Sequence, residues 1–250
     1  MNISNPSHYI YTVTRPVLPP FTLIMIPKNG CTGLKFRLRS LFGESLDQVG
    51  PEQRKQILRD QGETNERMWI HERTLHPYAW DGFSDSPRSL IYLPYRNPTR
   101  RLVSAWVDKK VLTEGGPADR ASFEAFLAKG GELDDLVHTD PHFMPQSEFA
   151  SLVPPALKPR ARWVNFKKVT AVLGLGDVPP VNEGVKVPAS YYTFPAIEDA
   201  LSRHYERDMA SLYFDLPYST IEGQNDAQKF LEDVEIERAR IQAFRKSLES

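Results

Sequence analysis

The sequence lacks several features that would point to particular classes of protein. It has one cysteine, Cys31, among 250 residues, which excludes an internal disulfide and a cysteine-rich zinc site. Its formal net charge of −1 argues against a generally basic nucleic-acid-binding protein, although a local cationic pocket is compatible with it. The apolar stretch at residues 21–26 is far too short to span a bilayer. We therefore expect no nucleic-acid partner, no stable membrane insertion and, by default, a cytoplasmic protein.

The composition and the order of predicted elements indicate one α/β domain over residues 1–250. A chain with 40% hydrophobic and 25% charged residues is an ordinary globular one, and this length can bury a sizeable core. Residues 1–20 contain several prolines and predict an extended lead-in. Residues 224–250 predict a long charged C-terminal helix. Its heptad-like apolar positions fit either packing on its own domain or a homodimer contact.

Two apolar runs predict parallel strands that are each followed by a helix. Residues 21–26 are continuously apolar, as in a buried parallel strand, and residues 34–42 have apolar positions at helical spacing. Residues 89–93 predict a further strand. Asn97 and Pro98 then mark a helix start, because a capping side chain precedes a proline at the first helical position. These units predict a central parallel sheet flanked by helices.

Two further expectations concern chain segments without a clear period. Pro94 directly follows the strand predicted over residues 89–93. Proline has no backbone N–H to donate, so we expect Pro94 at or beyond the last hydrogen bond of that strand. Residues 134–159 are expected to be loop-like.

The turn after the first predicted strand has the chemistry of an anion cradle. A turn before a helix presents backbone N–H groups and the positive end of the helix dipole. Gly30 and Gly33 permit close approach to an anion, Lys28 adds a positive charge, and Thr32 offers a hydroxyl. The lysine precedes the glycine, so the segment does not match the G-x-x-x-x-G-K-[ST] loop of kinases and ATPases. An ordinary turn with a surface lysine is the alternative. Cys31 fits a small buried residue or a modifiable thiol.

The segment after the strand predicted over residues 89–93 offers a second anion clamp. Arg96 lies where the strand ends, and Arg100 and Ser104 stand one helical turn apart on the same helix face. A guanidinium and a hydroxyl placed in this way can hold a phosphate. A solvated, arginine-rich helix start is the alternative interpretation.

In this order the two motifs resemble the nucleotide-binding signatures of sulfotransferases that use 3′-phosphoadenosine 5′-phosphosulfate (PAPS). Residues 27–32 are similar to the family's 5′-phosphosulfate loop, and residues 96–104 are similar to its 3′-phosphate motif R-[DN]-P-x-x-R-x-x-S. Asn97 stands where many members have Asp, and residues 164–166 lack the acidic residue that many members carry. The chain resembles the carbohydrate-type branch, family 2, through the segments that match its H-[WF]-x-P-Q, P-x-x-N and Y-x-x-D patterns: residues 140–146, 180–183 and 205–208.

The resemblance implies a P-loop NTPase-like three-layer fold and a PAPS-dependent sulfotransferase. Such an enzyme moves a sulfuryl group to an acceptor hydroxyl, here on a carbohydrate or small metabolite, and needs no metal. The resemblance further implies that Lys28 contacts the bridging and sulfate oxygens and that Arg96 and Ser104 hold the 3′-phosphate. The 5′-phosphate would be held by the Thr32 hydroxyl and by the backbone N–H groups of the loop: Asn29, Gly30, Cys31, Thr32 and Gly33.

Residues 68–70 predict a further short strand that ends at His71, and the general base is expected just after this strand, where this superfamily often has a histidine. His71 fits that place, and the unperturbed pKa of histidine suits a general base. His76 and Glu72 are alternatives. Two further side chains fit either a lining of the acceptor pocket or a loop-bracing role: His142 and Gln146.

Two other functions compete with the sulfotransferase. A P-loop small-molecule kinase would depend on ATP and magnesium and would carry an acidic metal ligand at a strand end, for which the sequence offers no convincing candidate. A non-catalytic nucleotide-binding protein would keep the cradle and lack the base. The sequence does not identify the acceptor, because one fold hosts many substrates.

Overall fold

A computed structural model describes residues 9–13, 21–40, 75–76, 90–175, 185–211 and 227–249. These residues form an α/β protein with an open sheet, which confirms the predicted class. The chain separates into two compact units, and whether they form one domain stays a prediction. Unit 1 comprises Met1–Tyr95 and Glu148–Asn182, and unit 2 comprises Arg96–Ser147 and Glu183–Ser250.

Helices account for most of the regular structure that is described, and none of them is both long and apolar enough to cross a membrane. The helix that starts at Pro98 continues into a π-helix, Val107–Thr113. Short 3₁₀ turns span Ala150–Leu152, Pro155–Arg160 and Ala189–Tyr191. The α-helices are α1 (Cys31–Ser40), α2 (Pro98–Trp106), α3 (Arg120–Leu127), α4 (Glu132–Thr139), α5 (Gln146–Phe149), α6 (Val169–Val172), α7 (Pro195–His204), α8 (Glu206–Ser211) and α9 (Ala227–Glu249).

Unit 1 is built around a five-stranded sheet with the strand order β3-β1-β2-β4-β5. Strand β4 pairs in parallel with both β2 and β5, whereas β1 is antiparallel to β2 and to β3. The two predicted strands are therefore confirmed as a parallel pair, and β1 lies within the predicted extended lead-in. The strands are β1 (Ile10–Val13), β2 (Phe21–Ile24), β3 (Leu75–His76), β4 (Leu90–Tyr95) and β5 (Ala161–Asn165).

The core of unit 1 lies where α1 and α6 pack on the sheet. Every residue of β2 is buried, as expected for a strand covered on both faces. Leu34 and Leu38 are one turn apart in α1, and both are buried in the same cluster as Leu23 of β2. Val169 of α6 joins this cluster. The apolar spacing that predicted the helix therefore corresponds to its buried face.

Pro94 lies inside β4, where it pairs with Val164 of β5. We expected Pro94 at or beyond the last hydrogen bond of its strand. This is true of the pairing between β4 and β2, which ends at Tyr92, but not of the pairing between β4 and β5. The N and C=O of one strand residue point to the same side, and the Pro94 carbonyl accepts from Asn29 Nδ2, on the β2 side. The missing N–H therefore faces the side on which the ladder has ended, so a proline is tolerated between two neighbours.

Unit 2 is helical, and its first helix starts as predicted. Asn97 caps α2, since its Oδ1 accepts the backbone N–H of Arg100 at 3.1 Å, and Pro98 occupies the first turn. The loop-like expectation for residues 134–159 is wrong at its start, where α4 runs through residue 139, and at residues 146–149, which form α5. Only Leu133 and Val137 of α4 are fully buried, so its apolar period is too narrow to be recognised in the sequence.

An aromatic cluster forms the core of unit 2, and α9 packs on it. The Trp106 and Phe123 ring centroids are 4.5 Å apart, and Tyr191 lies 5.9 Å from Phe123. Phe230 of α9 meets Tyr191 edge-on at 5.4 Å, and Val234 is buried one turn later. The first two apolar positions of the C-terminal helix are thus used within its own unit.

Candidate functional site

The turn between β2 and α1 has an unusual backbone. Lys28 has a φ of 66°, in the left-handed region that side chains other than glycine rarely adopt, and Gly30 has a φ of 77°. The first helical hydrogen bond of α1 runs from Leu34 N to Gly30 O at 3.0 Å. The first turn of α1 therefore presents the N–H groups that a helix's own carbonyls do not reach. A strained residue in such a turn is typical of ligand-binding loops.

Unit 1 holds this turn tightly against the carboxyl ends of its parallel strands. Asn29 is fully buried and donates from Nδ2 to the Pro94 carbonyl at 2.8 Å. Phe166, which follows β5, donates its N–H to Tyr95 O at 2.9 Å. Its ring lies so close to Gly30 that a Cβ there would sit 3.1 Å from Phe166 Cδ2. The ends of β2, β4 and β5 thus meet at the sheet edge where ligands bind in open α/β folds.

The other residues predicted for this cradle lie at the start of α1. Cys31 is partly buried against the core of unit 1, and its Sγ lies 2.9 Å from the Ile26 carbonyl. This placement agrees with the interpretation of Cys31 as a small buried residue. Thr32 and Gly33 follow within the first turn of the helix.

Three arginines lie together at the start of α2 in unit 2. Arg96 is the residue that follows β4, and its Nε is buried. Burial lowers the pKa of Arg96 to about 10; Tyr192 opposes this shift, whereas Arg100 and Arg101 add to it. Burial likewise raises the pKa of Tyr192, and Arg96 and Arg100 oppose that shift. A guanidinium is therefore held in a desolvated place beside two further positive charges.

The polar residues that follow Arg96 on α2 differ in burial and in hydrogen bonding. Arg101 is 1% exposed and donates to the carbonyls of Met144 and Pro141 at 2.7 and 2.9 Å. Arg100 and Ser104 are only partly buried, and neither side chain has a hydrogen-bond partner among the described residues. Arg101 therefore holds the 141–144 loop, which distinguishes it from the two residues predicted to share a helix face.

Gln146 connects this loop to Arg96 and to Asp208. Its Oε1 accepts from Arg96 N at 2.9 Å, and its Nε2 donates to Arg96 O at 2.8 Å. Asp208, at the start of α8, is fully buried and accepts from the N–H groups of Gln146 and Ser147 at 2.8 and 2.7 Å. Of the two roles expected for Gln146, loop bracing is the one that these contacts support.

A tyrosine completes the connection between three separate sequence motifs. The Tyr205 hydroxyl donates to the Phe143 carbonyl, and burial raises the pKa of Tyr205. The structure therefore assembles, within unit 2, segments that are far apart in the chain. These are residues 96–104, 140–146 and 205–208.

His142 is paired with a carboxylate in the same loop. Its Nδ1 lies 2.7 Å from Asp140 Oδ1, which also accepts the His142 backbone N–H at 2.8 Å. Burial raises the pKa of Asp140, but the hydrogen bonds from His142 outweigh it and leave the pKa below its usual range. Both side chains are partly exposed, at 31% for His142 and 28% for Asp140. The pair shapes the loop and fixes the orientation of the imidazole.

Of the three residues predicted as the general base, the structure describes only His76. His76 lies in β3 and pairs with Thr12 of β1. His71 and Glu72 lie outside the described residues, as do residues 180–183. No group of three or more His, Cys, Asp or Glu side chains in the described ranges is arranged to hold a metal ion.

Sequence reasoning missed the role of Asp208. The residue formed part of a recognised motif, but no partner was assigned to it, because Gln146 and Asp208 are separated by 62 residues in the chain. Glu206, Arg207 and Asp208 are three consecutive charged residues, and nothing in the sequence distinguishes the buried Asp208 from its two exposed neighbours. Comparisons with protein-family models, with curated proteins and with solved structures gave no match for this chain.

Proposed function

We propose that this protein is a PAPS-dependent sulfotransferase that acts on a hydroxyl of a carbohydrate or small metabolite. The observation that supports the proposal most is that the Nε of Arg96 is buried and that two further arginines at the start of α2, Arg100 and Arg101, lie close enough to act on its charge. The same residues match the 3′-phosphate motif that the sequence resembles. A P-loop NTPase-like three-layer arrangement and a cytoplasmic location belong to the same proposal.

The arginine group favours a doubly charged anion as its ligand. Burying a guanidinium costs free energy, and two neighbouring positive charges add repulsion to that cost. A phosphate monoester offsets both terms and accepts several hydrogen bonds at once. Arg96 would supply the principal contact, with Ser104 and Arg100 beside it on one face of α2.

The turn after β2 would hold the other end of the donor. Its left-handed Lys28, the close approach at Gly30 and the helix start that follows are the elements of a backbone anion site. The N–H groups of residues 30–33 and the Thr32 hydroxyl would then contact the 5′-phosphate. Asn29 would act by holding the turn in place, since its backbone N–H donates to the Ile26 carbonyl at 3.2 Å and its side chain donates to the Pro94 carbonyl.

The proposed chemistry is an in-line displacement at sulfur. The acceptor oxygen forms a bond to sulfur while the bond from sulfur to the phosphate oxygen breaks, and the acceptor proton passes to a general base. Lys28 would stabilise the charge that develops on the leaving oxygen. His71 is the proposed base, with His76 and Glu72 as alternatives, and the reaction requires no metal.

Calorimetry with adenosine 3′,5′-bisphosphate (PAP), the product of the donor, tests the proposal. We expect metal-independent binding of PAP that is much tighter than binding of 5′-AMP, which lacks the 3′-phosphate. Arg96→Ala should abolish this preference, whereas Arg240→Ala, an exposed arginine on α9, should leave it unchanged. Strong binding of Mg–ATP beside weak binding of PAP would instead support a small-molecule kinase.

A labelled-sulfate transfer assay then separates an enzyme from a nucleotide-binding protein. Wild-type protein should transfer sulfate from PAPS to an acceptor found by screening, and Lys28→Ala should not. His71→Ala should lower turnover by about 10²- to 10⁴-fold, the usual effect of losing a general base. Tight PAP binding without transfer to any acceptor screened would favour the non-catalytic protein.

A further inference from the structure

We infer that Asp208 and Gln146 are positioning residues that fix Arg96 and so make the nucleotide site depend on a 3′-phosphate. The inference rests on the proposed function, because Arg96 is the residue proposed to bind that phosphate. It goes further by giving a role to a buried carboxylate and a buried amide that would not contact the nucleotide themselves.

The first step is the fixed position of Asp208. Its side chain is fully buried, and it accepts two backbone N–H groups, one from Gln146 and one from Ser147. A buried carboxylate is costly unless hydrogen bonds surround it, so these contacts hold the start of α5 against the start of α8. The two N–H groups belong to the first turn of α5, which its own carbonyls leave unsatisfied.

The second step is the fixed orientation of the Gln146 amide. Its Nε2 lies 3.4 Å from Asp208 Oδ2 and 2.8 Å from Arg96 O, so the NH₂ group faces two acceptors. Its Oε1 faces the Arg96 N–H. The reversed amide would place an oxygen against the carboxylate and the carbonyl, so only one orientation satisfies all three neighbours.

The third step links this orientation to the ligand. Gln146 binds both backbone groups of Arg96, which directly follows β4 and precedes the cap of α2. The direction of the Arg96 side chain from its Cα is then set before any ligand arrives. Paired hydrogen bonds from a guanidinium to a phosphate require accurate placement, so a loose backbone at residue 96 would weaken them selectively.

The test compares the affinities of PAP and 5′-AMP in variants of these two residues. Gln146→Met keeps the volume and removes the hydrogen bonds. We expect it to weaken PAP binding by about 10- to 100-fold, the range seen for outer-shell partners, and 5′-AMP binding by less than about threefold. Asp208→Asn should show the same selectivity, because an asparagine amide can accept only one of the two backbone N–H groups and turns its NH₂ group against the other. Gln228→Met, on the exposed face of α9, is the matched control and should change neither affinity.

A double-mutant comparison identifies the route of the effect. If Gln146 acts through Arg96, then adding Gln146→Met to Arg96→Ala should not weaken PAP binding further. Equal losses for PAP and 5′-AMP would show a merely structural role and overturn the inference. If Gln146→Met does not fold, the ratio of the two affinities in Asp208→Asn decides in the same way. A wild-type protein that does not distinguish PAP from 5′-AMP would overturn the proposed function instead.

Discussion

Replacing Lys28 with glycine should raise the stability of the protein while abolishing its proposed function. Lys28 has a φ of 66°, and the left-handed conformation costs a residue with a Cβ roughly 1–2 kcal/mol. Glycine adopts it without strain but gains about 0.5–1 kcal/mol of freedom in the unfolded chain. The net expectation for Lys28→Gly is a stabilisation of about 0.5–1 kcal/mol, or a rise in Tm of about 1–4 °C for a chain of this size.

Lys28→Ala is the matched control, because alanine removes the charge and keeps the Cβ. We expect its Tm to stay within about 1 °C of wild type, and both variants to lose sulfate transfer. Thermal unfolding followed by circular dichroism, together with the labelled-sulfate assay, measures both quantities. A Lys28→Gly variant that is less stable than Lys28→Ala would refute the strain argument. Transfer at near wild-type rate in either variant would refute the role of the ammonium group.

Three further expectations concern the stability of the two units. Gly30→Ala should lower the free energy of unfolding by about 1–3 kcal/mol in denaturant titrations, because Gly30 has a φ of 77° and a Cβ there would press on Phe166. Gly115→Ala is the control, since Gly115 has the same φ but open space around it, and it should cost less. An equal cost for the two variants would argue against the contact with Phe166. Asp134 has its pKa lowered to about 2, chiefly by a backbone hydrogen bond, so its contribution is present above about pH 4 and is lost as the pH falls toward 2. Its side chain is 29% exposed, so Asp134→Asn should cost only about 1 kcal/mol at pH 7 and clearly less at pH 2, where half of the folded molecules carry a protonated Asp134; a cost independent of pH would contradict this. Arg238→Leu should lower the free energy of unfolding by about 1–3 kcal/mol, because the carbonyls of Val111 and Gly116 lose their hydrogen-bond donor. A change below about 0.5 kcal/mol would show that water replaces the guanidinium as the donor.

The features that could be predicted from the sequence are those that depend on residues close together in the chain. The buried run before the first motif, the apolar spacing of α1 and the cap at Asn97 are local signals, and each appears in the structure where it was expected. Pro94 could not be placed from local rules, because its tolerance depends on where the pairing with β2 ends. The bond between Gln146 and Asp208 joins distant segments and has no local signal.

In the candidate site, too, the residue types could be recognised in the sequence, whereas their backbone conformation and burial could not. The residue types at 28–33 and 96–104 indicated an anion, and the left-handed backbone at Lys28 and the desolvation of Arg96 are physical properties that the residue types alone do not specify. Both arise from contacts made after the chain has folded. The proposed base His71 and its alternative Glu72 lie outside the described part of the chain.

The bonds from Gln146 to Arg96 involve only main-chain atoms of residue 96. Any amino acid except proline at this position offers the same N–H and C=O groups, so that contact can survive a change of side chain. The backbone position at the end of β4 therefore does not depend on which side chain residue 96 carries. A lysine, histidine or glutamine introduced at position 96 would leave the Cα at the same fixed point, so this position allows the proposed anion contact to be varied without changing the backbone that holds it.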